Sequence, residues 1–135
     1  MEARELRINN IVMLDETKPV RILWFKLEVA CIMEVGKDYP STIVRLERLS
    51  GLPLNEEWSL KLGFEKDESW GMLFIKRPYL VYHDKYLKTN ILGVFISGSH
   101  REYQTVSKPF NHLHQLQNLF FALKNEELAI NHETN

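Results

Sequence analysis

The chain has 135 residues, of which 44% are hydrophobic and 26% charged, with 17 Lys and Arg against 18 Asp and Glu for a net charge of −1. That length bounds it to one compact domain or two small ones, and its three Trp, five Tyr and seven Phe exclude intrinsic disorder. The near-neutral charge excludes a generally basic nucleic-acid coat protein.

The single cysteine, Cys31, rules out an internal disulfide and leads us to expect a reducing, cytoplasmic compartment. The opening residues mix charged with apolar side chains and lack the apolar stretch of a secretory leader. The longest wholly apolar run, residues 91–96, falls far short of the roughly 20 residues that a membrane-spanning helix requires. We therefore expect a soluble protein without membrane contact.

Residues 5–48 read as strands joined by short turns. Ile8, Ile11, Val12 and Leu14 precede a polar break, Asp15-Glu16-Thr17-Lys18-Pro19, in which Pro19 fixes φ for a turn. Residues 20–35 are rich in β-branched and aromatic side chains. The alternation of their second half places Leu27, Val29 and Cys31 on one side and Lys26, Glu28 and Ala30 on the other. Residues 36–41 form the next break and residues 42–46 a short closing strand. Several short strands in so short a span predict a small SH3-like sheet or barrel over residues 1–50.

Gly51 and Pro53 interrupt the pattern and open a second module over residues 51–135. Asn55 suits an N-cap, Glu56 and Glu57 suit a first helical turn, and Gly63 suits a left-handed C′ position. These signals predict a helix over 55–62 with Trp58 and Leu62 facing the core. An antiparallel meander over 69–106 follows, with strands at 70–75, 79–82 and 91–96 and turns at Lys76-Arg77-Pro78, Asp84-Lys85 and Ser97-Gly98-Ser99. Across 112–124, Leu113, Leu116, Leu119, Phe120 and Leu123 share an arc of about 120° at 100° per residue, which predicts a helix closing this module. Asn125 suits its left-handed end, and residues 126–130 suit a last short strand. The expected class is α+β: a small SH3-like barrel or sheet, then an antiparallel meander packed with one short and one C-terminal helix.

His-x-His at 112 and 114 would point two imidazoles the same way on a strand and could ligate zinc, but two residues apart on a helix they diverge by about 200°. No metal site or cofactor is expected. His114, Gln117 and Phe121 form a second strip on the helix. Either the strip packs on the N-terminal sheet, or it is exposed and docks a protein partner with Phe121 as anchor. Ser97 or Ser99, His83 or His100, and Asp84 supply the residue types of a hydrolytic triad, yet there is no Gly-x-Ser-x-Gly elbow, and neighbours on a strand face opposite sides. Cys31 in an apolar run is an inert buried thiol by default. No catalytic residue is assigned.

Charge is uneven along the chain. Residues 69–108 carry six basic against two acidic side chains, net +4, while residues 1–68 are net −3 and 109–135 net −2. Lys76, Arg77, Lys85, Lys88 and Arg101, with Tyr82 and the further meander tyrosines Tyr79, Tyr86 and Tyr103, would suit a single-stranded nucleic acid held by phosphate contact and base stacking. Turn lysines that blunt sheet edges explain the same residues without a ligand.

Three stretches carry a resemblance: Glu5-Leu-Arg-Ile-Asn-Asn-Ile-Val12, Pro53-Leu-Asn-Glu-Glu-Trp-Ser-Leu-Lys-Leu-Gly-Phe64 and His114-Gln-Leu-Gln-Asn-Leu-Phe-Phe-Ala-Leu-Lys-Asn-Glu-Glu-Leu128. In that order the chain resembles a family of uncharacterised small proteins from anaerobic gut bacteria and their phages or mobile elements. Asn10, Asn55 and Asn125 stand where that family has Gly, Thr and Gly, each keeping a turn or capping role. The resemblance implies a small β-barrel followed by a helix-and-sheet half in a phage or mobile-element setting, and supplies no catalytic residue. The expected function is non-enzymatic recognition of a protein partner, with nucleic-acid binding as the alternative and homo-oligomerisation open.

Overall fold

A computed structural model of the chain describes residues 1–38, 40–67, 73–97, 99, 101–128 and 130. It is an α+β architecture of two five-stranded antiparallel sheets and two α-helices. The chain forms two compact units. The first joins Met1–Pro53 to His112–Asn125, and the second holds Leu54–Asn111 with the described residues from Glu126 onward.

In the first unit, β1 (Ile11–Leu14), β2 (Lys18–Lys26), β3 (Val29–Glu34) and β4 (Thr42–Arg45) form a meander. A 3-10 turn at Leu46–Arg48 then leads to β5 (Leu49–Ser50), which returns to pair with β1. The sheet order is β4-β3-β2-β1-β5. The register of β2 against β3 shifts between Ile22 and Trp24, so Leu23 is an extra residue that bends the long strand. Val12, Val20, Ile22, Ala30, Ile32, Val44, Leu46 and Leu49 line one buried core.

Two expectations for this unit change. Residues 20–35 divide between β2 and β3, because the chain reverses at Leu27 and Glu28, with Leu27 at φ 52° and 80% exposed. That reversal resets the alternation, so Ala30 and Ile32 face the core while Cys31 pairs between Trp24 and Ile43 on the opposite side. Cys31 is still buried. Leu46 belongs to the 3-10 turn rather than to a closing strand.

The C-terminal helix α2 (Leu113–Lys124) ends as expected, with Asn125 at φ 56° and ψ 32°. It belongs to the first unit, however, and does not close the second. The cause is polar. Its amide side chains bond the backbone that leads into β1, which an apolar periodicity does not register.

In the second unit, α1 (Glu56–Lys61) carries the signals written in its sequence. The Asn55 Oδ1 accepts from the Trp58 backbone N–H at 2.9 Å, Gly63 takes φ 91°, and Trp58 and Leu62 are buried. Strands β6 (Glu65–Asp67), β7 (Leu73–Lys76), β8 (Tyr79–Asp84), β9 (Thr89–Phe95) and β10 (Tyr103–Thr105) pair strictly in chain order. Residues 70–72 of the expected first strand lie outside the described residues. Leu73, Leu80 and Phe95 form a buried cluster, with Ile75 and Tyr103 against it. Gly93 leaves room there for the Tyr103 ring: a methyl group at Gly93 would lie 3.0 Å from Tyr103 Cδ2. Residues 126–128 carry no strand, although Leu128 and Ile130 are buried. Among the described residues no helix is long and apolar enough to cross a membrane.

Candidate functional site

Helix α2 turns its amides inward. Gln117 Oε1 accepts the Ile11 backbone N–H at 2.8 Å, and its Nε2 donates to the Asn9 carbonyl at 3.2 Å. Asn10, fully buried, donates through Nδ2 to Asn118 Oδ1 at 2.9 Å and accepts the Arg7 N–H through Oδ1. Asn118 in turn donates to the Glu5 carbonyl. This lattice satisfies the N–H of Ile11, the first residue of β1, and the Arg7 N–H and the Asn9 and Glu5 carbonyls ahead of it.

Of the two expectations for the His114, Gln117 and Phe121 strip, packing in the N-terminal unit holds and docking is corrected. His114 and Gln117 are each 2% exposed, so neither side chain is offered to a partner. Phe121 is half-buried beneath the Arg7 guanidinium, 3.8 Å from the ring centroid. The polar stitching draws this edge of the helix inward, while Leu123, expected in the core, is 47% exposed at the last turn.

The two histidines also depart from helical geometry. His112 is the N-cap with extended backbone, so its ring stacks on that of His114 at 5.8 Å and 11° instead of diverging. Neither ring nitrogen of His114 has a hydrogen-bond partner among the described residues. Burial, and then the neighbouring His112, push its pKa down to about 4, against a smaller opposing pull from Glu5. Stacked faces do not converge on a cation, and among the described residues no three His, Cys, Asp or Glu are grouped as metal ligands.

The meander cations split between two ends. Lys76 and Arg77 lie at the β7–β8 turn, with Lys76 Nζ donating to the Leu62 carbonyl and the Arg77 guanidinium 4.4 Å over the Phe95 ring. Arg101 follows β9 at that same end. Lys85 and Lys88 flank the β8–β9 turn at the other end, a strand length of roughly 20 Å away. Tyr82 lies between, 37% exposed. The six residues therefore do not make one continuous track.

The triad residues separate likewise. His83 Nδ1 lies 3.0 Å from Asn90 Oδ1, and Asp84 Oδ1 accepts the N–H groups of Tyr86 and Leu87. Ser99 Oγ accepts from Arg101 and Glu102 beyond the far end of β9. Gly98 and His100 lie outside the described residues.

Sequence reasoning placed this turn at Asp84-Lys85 and offered Tyr86 as a stacking ring, but missed that Tyr86 and Leu87 stand out together on it. Asp84 fixes the turn with two side-chain bonds, at 2.9 and 3.0 Å, and Lys88 takes φ 56° to rejoin the ladder. Held on this turn, Tyr86 is 86% and Leu87 71% exposed, with Lys85 Nζ 5.5 Å from the Tyr86 ring. An Asp two residues before an adjacent aromatic and aliphatic pair is the local signal that could have found it. Comparison with protein-family models, with curated proteins and with solved structures gives no match.

Proposed function

We propose that this protein is a non-enzymatic accessory protein of a phage or mobile element, working in the host cytoplasm by surface recognition of a protein partner. The observation that carries this reading is the β8–β9 tip, where a side-chain-braced turn holds Tyr86 and Leu87 out in solvent. Apolar groups ordered in advance lose little entropy on docking, and a Tyr with an aliphatic neighbour suits the buried centre of an interface. We further propose an SH3-like plan for the first unit. Its support is the four-strand meander, the bent β2, the 3-10 turn and the short β5 returning to β1.

The test is recovery of proteins from host lysate with the intact chain and with Tyr86→Ser/Leu87→Ser as baits. A protein held by the first and lost from the second supports the reading. Equal recovery on both overturns it. Lys85 and Lys88 beside the open Tyr86 ring favour nucleic-acid binding as a second reading. Salt-sensitive binding of a labelled oligothymidine, weakened by the same double substitution, would put that reading first.

A further inference from the structure

One end of the first sheet opens into a groove of about 360 Å³, within the range of roughly 300–1,000 Å³ typical of ligand sites. Its accessible apolar lining is Leu14, Met33 and Pro40, over the buried core residues Val20, Ile32 and Val44. The rim is charged, and its charges do not cancel. Lys18, Lys37 and Arg48 line it against Glu34 alone. Asp15 neutralises Arg48 by meeting Nε and Nη2 with one oxygen each. Glu34 serves both lysines, Oε1 toward Lys18 at 3.0 Å and Oε2 toward Lys37. The two lysines, first Lys37 and then Lys18, hold its carboxyl below the usual range. One carboxylate thus faces two ammonium groups, each with three N–H donors, and the lip is left with one uncompensated positive charge.

We propose that this groove binds an acidic peptide segment, with an apolar side chain seated against Leu14, Met33 and Pro40 and a carboxylate completing the Lys18 and Lys37 pair. The groove is bordered by Thr42 and Val44 of β4, the strand at the sheet's edge, so an extended chain can lie alongside it. Charge complementarity selects the acidic segment, because a basic one would add to an already positive lip. This site lies in the first unit and is independent of the β8–β9 tip.

The test is a titration of the ¹⁵N-labelled full chain, followed by amide shifts, with acetyl-Asp-Leu-Glu-Leu-Asp-amide and its neutral counterpart acetyl-Asn-Leu-Gln-Leu-Asn-amide. Saturable shifts centred on Lys18, Met33, Glu34, Lys37, Thr42 and Val44 are expected. Affinity should fall about tenfold for the neutral peptide, and again in Lys18→Gln/Lys37→Gln, whose dispersed spectrum reports that it is folded. Tyr86→Ser/Leu87→Ser should bind the acidic peptide unchanged, which separates this site from the proposed tip. Equal affinity for both peptides, shifts centred elsewhere, or no saturation at millimolar peptide overturns the proposal.

Discussion

The two sheets have the same number of strands and the same antiparallel pairing, yet they are finished differently. In the first, β5 returns to β1, and helix α2 is stitched by amide side chains to the backbone before β1. In the second, strands follow in chain order, and the β8–β9 turn projects an apolar pair into solvent. The contrast teaches that closure in this chain is polar and directional. Hydrophobic burial fills both cores, but the Asn and Gln hydrogen bonds decide which sheet receives the helix.

Breaking that stitching should produce the largest effect. Gln117→Leu keeps the apolar volume but strands the buried Ile11 N–H and removes a partner from the partly exposed Asn9 carbonyl, costing about 3–4 kcal/mol, most of it at Ile11. Amide hydrogen exchange would show it as lost protection in β1–β5 with β7–β9 spared, and equal loss in both sheets would void the contrast.

The pH response of His114 comes next. Its folded pKa of about 4 lies below the ordinary imidazole value of 6.5, so the unfolded chain binds the proton more readily. Stability is full above about pH 6.5 and declines as pH falls toward 4, by up to about 3 kcal/mol. His114→Leu should flatten this slope and raise stability at pH 7, because it removes a buried, unpartnered polar ring. Urea unfolding at several pH values measures both.

Two glycines compare the sheets directly. A methyl group at Gly51 would lie 2.3 Å from His112 Cγ, at the junction into α2, so Gly51→Ala should cost about 2 kcal/mol. At Gly93 the nearest atom is Tyr103 Cδ2 at 3.0 Å, and Gly93→Ala should cost about 1 kcal/mol as the ring gives way. Thermal midpoints would rank them. The smallest effect belongs to Tyr86→Ser/Leu87→Ser, under about 0.5 kcal/mol, since both side chains are solvent-exposed. A larger drop in midpoint would mean that the tip is structural.

The elements with local signals were legible in the sequence. Asn55, Gly63 and Asn125 announced three helix ends, and the periodicity of 112–124 announced α2. What stayed hidden was non-local or unmarked. The Leu27 reversal uses a left-handed residue without the Gly or Asn that would advertise it. The partners of Gln117 and Asn118 lie more than 100 residues earlier, so the sequence could offer packing on the N-terminal sheet for the His114–Gln117 strip but not choose it over docking. The rim of Lys18, Glu34, Lys37 and Arg48 is likewise gathered from three separate segments. The meander tyrosines and lysines were visible as residues, but strand direction, which composition does not carry, sends them to opposite ends.

Where the chain leaves the first unit and where it re-enters, the backbones run together. Leu113 N–H donates to the Leu52 carbonyl, Pro53 pairs with His112, and Leu54 N–H donates to the Asn111 carbonyl. The larger part of the second unit, Leu54–Asn111, is therefore inserted into the first, and the chain returns to the second unit at Glu126. During synthesis its strands are all made before α2 emerges, so the inserted half has the chance to mature while the outer half still waits for its closing helix. Because the chain crosses between the units a third time after Asn125, exchanging the inserted part for a short linker between Pro53 and His112 would also free Leu128 and Ile130, so an engineer swapping cargo here must trim the tail with it.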